Sequence, residues 1–158
     1  MIERVRALLI TPDGSMLAIR RDKPGRRPYW VLPGGHVEPR DLDREAALRR
    51  EIEEEIAGVP DIISLLYIMD SDQQNERQFF YLARISSWSF AERTGPEFRE
   101  PGRGTYRLEQ IPLTAGSLTA IDLKPEPVAE LLNDVVASGR DLFALPDLRR
   151  DARTRLIS

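Results

Sequence analysis

The segment from Gly34 to Val59, which reads GGHVEPRDLDREAALRREIEEEIAGV, constrains this chain more than any other part of its sequence. Its second half predicts an amphipathic helix over residues 44–57, because apolar residues recur there every four positions. These residues are Leu48, Ile52 and Ile56, with Ala47 beside them. We expect Asp43 to cap the start of the helix and Gly58 to supply the left-handed residue that ends it.

Three carboxylates of this helix share one face, away from its apolar stripe: Glu51, Glu54 and Glu55. Two carboxylates about 5 Å apart repel by ~3 kcal/mol at an effective dielectric constant of about 20. Convergence of these side chains therefore needs a compensating cation, and oxygen-only ligands suit Mg²⁺ or Mn²⁺ rather than zinc. The alternative is an ordinary solvated face, on which Arg50 is simply the four-apart helix partner of Glu54.

The whole string resembles the Nudix box, G-x5-E-x7-R-E-U-x-E-E-x-G-U, in which U is apolar. The matching residues are Gly35, the run Arg50-Glu51-Ile52-Glu53-Glu54-Glu55, and Gly58-Val59. The preceding WVLPGG also looks like the segment that leads into that box. The resemblance is strong over the box and loose over residues 4–137. It implies an α/β fold, an α/β/α sandwich around a mixed β-sheet, in a single domain over residues 1–158.

The match departs from the Nudix pattern in two places, each by one residue. Counting forward from Gly35 puts Asp41 where the family has glutamate, whereas counting back from Arg50 puts Leu42 there, so one residue is inserted in this loop. The sequence leaves open whether Asp41 replaces that carboxylate. At the end of the helix, Ala57 stands on the family glycine and Gly58 follows it, which an extra residue before a left-handed cap would accommodate.

By resemblance, the residues of the box take distinct roles. Glu51 and Glu55 would bind magnesium directly, and Glu54 would be a ligand or accept the proton of the attacking water. The carbonyl of Gly34 would be a further metal ligand, and Arg50 would orient a glutamate through a charged hydrogen bond. Metals lower the pKa of bound water and neutralise diphosphate oxygens. Since the leaving group is a phosphate, positioning and charge stabilisation would carry most of the catalysis.

Four residues outside the acidic cluster are weaker candidates for substrate binding. His36, the only histidine, either contacts a phosphate or is an exposed loop residue. Arg20 and Arg21 either clamp the diphosphate or cap the edge of a sheet. Glu97 lies in a long irregular segment and is a candidate general base. Two aromatic residues either stack on a nucleobase or pack in the core: Phe98 and Tyr106.

The other elements are predicted from alternation and turn residues. The expected strands are 4–9, 15–20, 29–32, 62–69 and 78–85. The first two form a hairpin around the turn Thr11-Pro12-Asp13-Gly14, and Pro33-Gly34-Gly35 stops the third. In the first strand, Val5, Ala7 and Leu9 alternate with Arg4, Arg6 and Leu8. A second amphipathic helix opens at Pro125 and ends before Gly139, and residues 140–158 are expected to be a peripheral tail.

Composition limits the classes of function open to the 158-residue chain. Its formal net charge of −3 gives no positive field for a long nucleic acid. No apolar run approaches the ~20 residues of a membrane span, and no export signal is visible at the start. The absence of cysteine excludes disulfides and thiolate metal sites, which fits a cytoplasmic protein.

The sequence therefore predicts a Mg²⁺-dependent hydrolase, with Mn²⁺ as an alternative ion, that cleaves the diphosphate linkage of a nucleoside diphosphate joined to another group. Its partner would be a small nucleotide-type substrate, and a homodimer is left open. One alternative is a regulatory module that binds a metabolite without turnover. Another is an acidic protein-interaction domain. The specificity for the second group of the substrate lies outside the box. Oxidised nucleotides, nucleotide sugars, dinucleoside polyphosphates and capped RNA are therefore all compatible substrates.

Overall fold

The computed structural model describes residues 1–90 and 104–150, which form a mixed β-sheet with helices on both faces. The strands are β1 (Ile2–Ile10), β2 (Met16–Asp22), β3 (Tyr29–Val31), β4 (Gly34–His36), β5 (Asp61–Ser71), β6 (Glu76–Arg84), β7 (Thr105–Ile111) and β8 (Leu123–Lys124). The helices are α1 (Arg44–Ile56), α2 (Ala115–Thr119) and α3 (Glu126–Ser138). Single 3-10 turns follow at Leu142–Ala144 and Leu148–Arg150. No helix within these ranges has the length and apolar character to cross a membrane.

The sheet is built around β1. This strand pairs in parallel with β6 along its whole length, from Ile2 to Ile10. On its other edge, its first half pairs with β4 and its last two residues pair with β2, both antiparallel. The strand order is β5-β6-β1-β2-β3-β8, with β7 paired to β2. Because β4 and β2 share one edge of β1, the sheet divides there, and the divided region is where the candidate site lies.

Apolar side chains on both faces of the sheet form two cores. The core under α1 includes Val5, Ala7, Leu9, Leu48, Ile52 and Ile56. The core under α3 includes Leu8, Ile10, Val128, Leu132 and Val135. A sheet that is apolar on both faces needs a helical layer on each. The α/β/α sandwich around a mixed sheet that the sequence predicts is therefore confirmed.

The third strand ends before Pro33-Gly34-Gly35 as expected, and Gly34–His36 then form a further short strand, because they pair with β1. Gly34 adopts a φ of +150°, and a Cβ atom at this residue would lie 2.0 Å from the carbonyl oxygen of Val5. Glycine is required here because no side chain fits between β4 and β1. The glycine pair thus brings the loop before α1 into the sheet.

Helix α1 begins as predicted, since the side chain of Asp43 accepts a hydrogen bond from the backbone N–H of Ala46 at 2.8 Å. The prediction for its end is wrong. Ala57, not Gly58, adopts the left-handed conformation, with φ of 51°. Gly58 is needed for packing instead, because a Cβ there would meet Cδ1 of Ile85 at 2.5 Å.

Residues 140–150 are docked on the domain, whereas the sequence predicts a peripheral tail. Leu142 is buried in the core under α3. Asp147 accepts a hydrogen bond from the backbone N–H of Leu65 at 3.0 Å. Arg149 donates hydrogen bonds to the carboxylate of Glu45 in α1 and to the carbonyl of Ile63, each at 2.6 Å. These contacts tie the segment to both β5 and α1.

Candidate active-site cleft

A cleft of about 410 Å³ opens between α1 and the divided part of the sheet. Helix α1 contributes Glu51, Glu54 and Glu55. β4 and the loop after it contribute Gly34, Gly35, His36 and Glu38. The other strands contribute Arg4, Arg6, Ile19, Arg21, Val31 and Tyr106. Hollows of about 470 and 490 Å³ lie elsewhere on the surface, so the cleft is distinguished by its facing carboxylates and arginines rather than by its size.

Two glycines of β4 position two of the carboxylates. The backbone N–H of Gly34 donates to Oε1 of Glu55 at 2.7 Å, and the Glu55 side chain is only 5% exposed. At Gly35, a Cβ atom would lie 2.5 Å from the carboxylate of Glu51. The glycine pair therefore binds one glutamate and leaves room for the other.

The Arg50 side chain links Asp41 of the loop to the glutamates of the acidic face. Its Nε and Nη2 donate to the two carboxylate oxygens of Asp41, each at 2.9 Å. Its Nη1 donates to Glu51 at 3.0 Å and to Glu54 at 3.5 Å. The hydrogen bonds to Asp41 are the main reason why the pKa of Arg50 is raised above its ordinary value. Arg50 does not line the cleft, and its contacts suit a residue that positions glutamates.

The one-residue irregularity before α1 is accommodated by the loop. The Asp41 side chain is 5% exposed, and its Oδ2 also accepts from the backbone N–H of Glu38 at 2.7 Å. The Arg50 guanidinium lowers the pKa of Asp41 below its ordinary value. Leu42, which stands on the family glutamate by count, is 92% exposed. The carboxylate is thus supplied by Asp41, and Leu42 is the residue that projects from the loop.

His36 lies in the cleft beside a second charged pair. Arg4 donates from Nε to Glu76 at 2.6 Å, and its Nη2 lies 2.6 Å from Nε2 of His36. Burial, followed by repulsion from Arg4, lowers the pKa of His36 below its ordinary value. The imidazole is therefore mainly neutral at pH 7, with Nε2 accepting from Arg4.

The two adjacent arginines of β2 lie on opposite faces of the sheet. Arg21 faces the cleft, where it donates to the hydroxyl of Tyr106 and lies 4.4 Å from the centre of its ring. Its Nε is the one buried side-chain nitrogen or oxygen without a hydrogen-bond partner in the described ranges. Arg20 lies on the other face, over Trp30 at 5.4 Å. The structure thus places only Arg21 with the acidic cluster.

Two further arginines of the cleft, Arg4 and Arg6, were not predicted as site residues. Arg6 donates from Nη1 to the carbonyl of Leu32 at 3.0 Å. Burial, with repulsion from Arg4 as the next cause, lowers its pKa to about 10. The candidate base Glu97 and the aromatic Phe98 lie outside the described residues.

The carboxylates do not converge into a preformed metal site. In the described ranges, no group of three acidic, histidine or cysteine side chains is arranged to hold an ion. Glu55 contacts the N–H of Gly34, and Glu51 and Glu54 contact Arg50. The set of donors nonetheless fits a hard divalent cation, because three carboxylates and a backbone segment of β4 line the same cleft.

Comparisons with known proteins agree with this geometry. The model of the NUDIX domain family matches residues 2–123. The solution structure of the Escherichia coli ORF135 protein is 21% identical, with a TM-score of 0.58 over 87% of this chain and 92% of that one. A MutT structure from work on Aliivibrio salmonicida and Vibrio cholerae is 20% identical, with a TM-score of 0.57 over 87% and 98%. A Caenorhabditis elegans Ap4A hydrolase is 15% identical, with a TM-score of 0.59 over 85% and 96%. No curated protein matches the sequence.

Proposed function

Because this chain belongs to the NUDIX family of hydrolases, we propose that it hydrolyses the diphosphate linkage of a nucleoside diphosphate joined to another group, with Mg²⁺ or Mn²⁺ bound at the acidic face of α1. The observation that carries the proposal is that carboxylates and arginines line one cleft. The carboxylate wall consists of Glu51, Glu54 and Glu55, and the arginine wall consists of Arg4, Arg6 and Arg21. A polyanionic substrate would be repelled by the three glutamates alone. A divalent cation between the glutamates and the substrate removes that conflict.

Burial distinguishes the three carboxylates. Glu55 is buried, with 5% of the whole residue exposed. The side chains of Glu51 and Glu54 are 13% and 30% exposed. Glu51 and Glu55, with the carbonyl of Gly34, would hold the ion. Glu54 is the most accessible of the three and would accept a proton from the attacking water or act as a further ligand. When bound, the metal would acidify that water and neutralise the diphosphate oxygens.

The arginine wall supplies the complementary charge. Arg21 is held by Tyr106, so its guanidinium enters the cleft in a restrained orientation that suits a phosphate oxygen. His36 is neutral and lies at the rim with Arg4. A small nucleotide-type substrate fits this proposal, and one of the structural neighbours is an Ap4A hydrolase.

The test is a screen of nucleoside diphosphate derivatives, scoring released phosphate or nucleoside monophosphate with Mg²⁺, with Mn²⁺ and with excess EDTA. Wild-type protein is expected to turn over at least one derivative with either ion and to stop with EDTA. A Glu54→Gln variant, purified in parallel, controls for contaminating phosphatases. Turnover that persists undiminished in EDTA would refute the metal mechanism. Binding of a derivative without turnover would instead favour the regulatory module.

A further inference from the structure

Arg6 is a cation of the cleft wall without a carboxylate partner among the described residues. Its Nη1 donates a hydrogen bond to the carbonyl of Leu32, and in residues 1–90 and 104–150 no carboxylate oxygen lies within 4.0 Å of its nitrogens. Two nearby arginines, one in the cleft and one behind the acidic face, do have carboxylate partners. Arg4 is paired with Glu76, and Arg50 is paired with Asp41. Partly buried charges are normally paired, so Arg6 is an exception.

The position itself does not call for a charge. Arg6 has the same strand parity as Leu8 and Ile10, which are buried in the core under α3. It pairs with Gly34 of β4 and with Phe80 of β6. One hydrogen bond to a neutral carbonyl contributes about 1 kcal/mol, whereas burial and the nearby Arg4 both oppose its charge. A long apolar side chain would satisfy the fold at least as well.

The local field shows what would offset this charge. Glu55, Glu76 and Glu51 attract Arg6, and Arg6 stays cationic at neutral pH because its pKa of about 10 is well above 7. Once a cation neutralises Glu51 and Glu55, the carboxylate left among these three is Glu76, which is already paired with Arg4. Arg21 lines the same wall, and its Nε lacks a hydrogen-bond partner. Both arginines therefore have donor capacity that the described protein does not use.

We propose that Arg6, together with Arg21, is the anion-binding element of the cleft and holds a phosphate group of the substrate from the side opposite the glutamates. This inference rests on the proposed function in taking the anion to be a phosphate of a diphosphate. It assigns Arg6 to substrate binding. The unpaired charge of Arg6 destabilises the free protein, and the bound phosphate offsets that destabilisation. Arginine suits this role because its planar donors match two phosphate oxygens at once.

The binding experiment uses α,β-methylene-ADP, whose diphosphate bridge resists hydrolysis, with the full-length protein in Mg²⁺, measured by calorimetry. Arg6→Met should raise its Kd at least ~10-fold, the effect of losing one charge-assisted contact. Arg6→Lys should raise it by less, since the cation is kept. The matched control is Arg20→Met, at a residue of the same sheet that does not line the cleft, and it should leave Kd unchanged. Unchanged binding by Arg6→Met, or no binding by the wild type, would overturn the proposal.

Thermal melts of the same variants without ligand separate this role from a structural one. Arg6→Met should melt at the same temperature as the wild type or higher, because an unpaired cation is replaced by an apolar side chain. A lower melting temperature with unchanged analogue binding would assign Arg6 to the fold and reject the proposal. If Arg6→Met folds poorly, Arg6→Lys decides: a raised Kd supports the proposal and an unchanged Kd contradicts it.

The two proposals fail in different ways. Wild-type turnover with unaltered analogue binding in Arg6→Met would remove the role of Arg6 and leave the hydrolase intact. Absence of turnover with weakened analogue binding in Arg6→Met would remove the hydrolase and leave the anion site intact.

Discussion

Asp41 and Arg50 form a two-pronged ion pair, with both guanidinium-to-carboxylate distances at 2.9 Å. The same guanidinium reaches Glu51 and Glu54 through Nη1. A loop residue is thereby coupled to the acidic face of α1, although it stands one position away from where the Nudix pattern has its carboxylate. The pair explains how the longer loop keeps the arginine oriented.

We expect Asp41→Asn to lower kcat about 10-fold, because an amide cannot match both guanidinium donors and Arg50 would orient the glutamates less well. Leu42→Glu should change kcat by no more than a few-fold, since residue 42 is exposed and the carboxylate position is already filled. Steady-state kinetics of both variants test this. Strong activation by Leu42→Glu, with a silent Asp41→Asn, would show that the loop had lost the carboxylate.

Glu54→Gln and Glu55→Gln should each lower kcat by ~10²-fold or more, as loss of a metal ligand or base commonly does. Glu53→Gln is the matched control on the same helix. Residue 53 is exposed and outside the cleft lining, so its substitution should be nearly silent. Comparable losses at positions 53 and 54 would contradict the assignment of the acidic face.

The two glycines of β4 should respond differently to alanine. In Gly35→Ala the added Cβ meets the end of the Glu51 side chain, which can move. This variant should keep its melting temperature within a few degrees and lose most of its activity. In Gly34→Ala the Cβ meets the backbone of Val5 at 2.0 Å, so the strand pairing must break and stability should fall by ~3 kcal/mol or more. Circular dichroism melts and turnover assays distinguish the two outcomes.

Magnesium should stabilise the free protein if the acidic face binds it. The expected gain is ~2.7 kcal/mol at a hundredfold excess over Kd. Glu55→Gln should lose most of this gain, yet fold normally, because glutamine can still accept the hydrogen bond from Gly34. Melts in EDTA and in Mg²⁺ at matched ionic strength provide the measurement. A wild type without any shift would mean that the ion enters only with substrate.

The lowered pKa of Asp41 predicts how stability depends on pH. Its contribution is complete above the unfolded pKa of about 3.9 and is lost as pH falls through the lower folded pKa. Between about pH 6 and about pH 2 the wild type should therefore lose more stability than Asp41→Asn. Urea unfolding at several pH values would show the two curves approaching each other in acid. Parallel curves would exclude a contribution from this ion pair.

The parts of the site that were predictable depend on local geometry. The spacing of Glu51, Glu54 and Glu55 places them on one face of any helix, so the acidic wall follows from periodicity alone. The cap at Asp43 and the apolar stripe of α1 are local in the same way. Arg50 was correctly expected to contact a glutamate, but its partner Asp41 depended on the path of a loop that periodicity does not describe.

Of the cleft arginines, Arg21 is a candidate from the sequence, whereas Arg4 and Arg6 were missed because their place in the cleft depends on pairing between distant residues. In the sequence, Arg6 is one residue of an alternation of polar and apolar side chains. Leu8 and Ile10, which lie on the same side of the strand as Arg6, are apolar and buried, and they indicate a strand that is buried on both faces. The contact between Arg21 and Tyr106 joins residues 85 positions apart through the pairing of β2 with β7. β7 itself, TYRLEQI, has weak alternation and was not predicted.

The central position of β1 has a consequence for how the protein folds. Ile2 pairs with Glu76 and Ile10 pairs with Arg84, so β1 lacks its parallel partner until more than 70 further residues have been made. Such long-range parallel pairing forms slowly, since the conformational entropy of a large loop must be lost before the strands gain stabilising contacts. Arg4, Arg6 and the β4 glycines are all supported by β1. The cleft should therefore be among the last parts of the chain to form, and nascent chains that end before residue 84 should lack it.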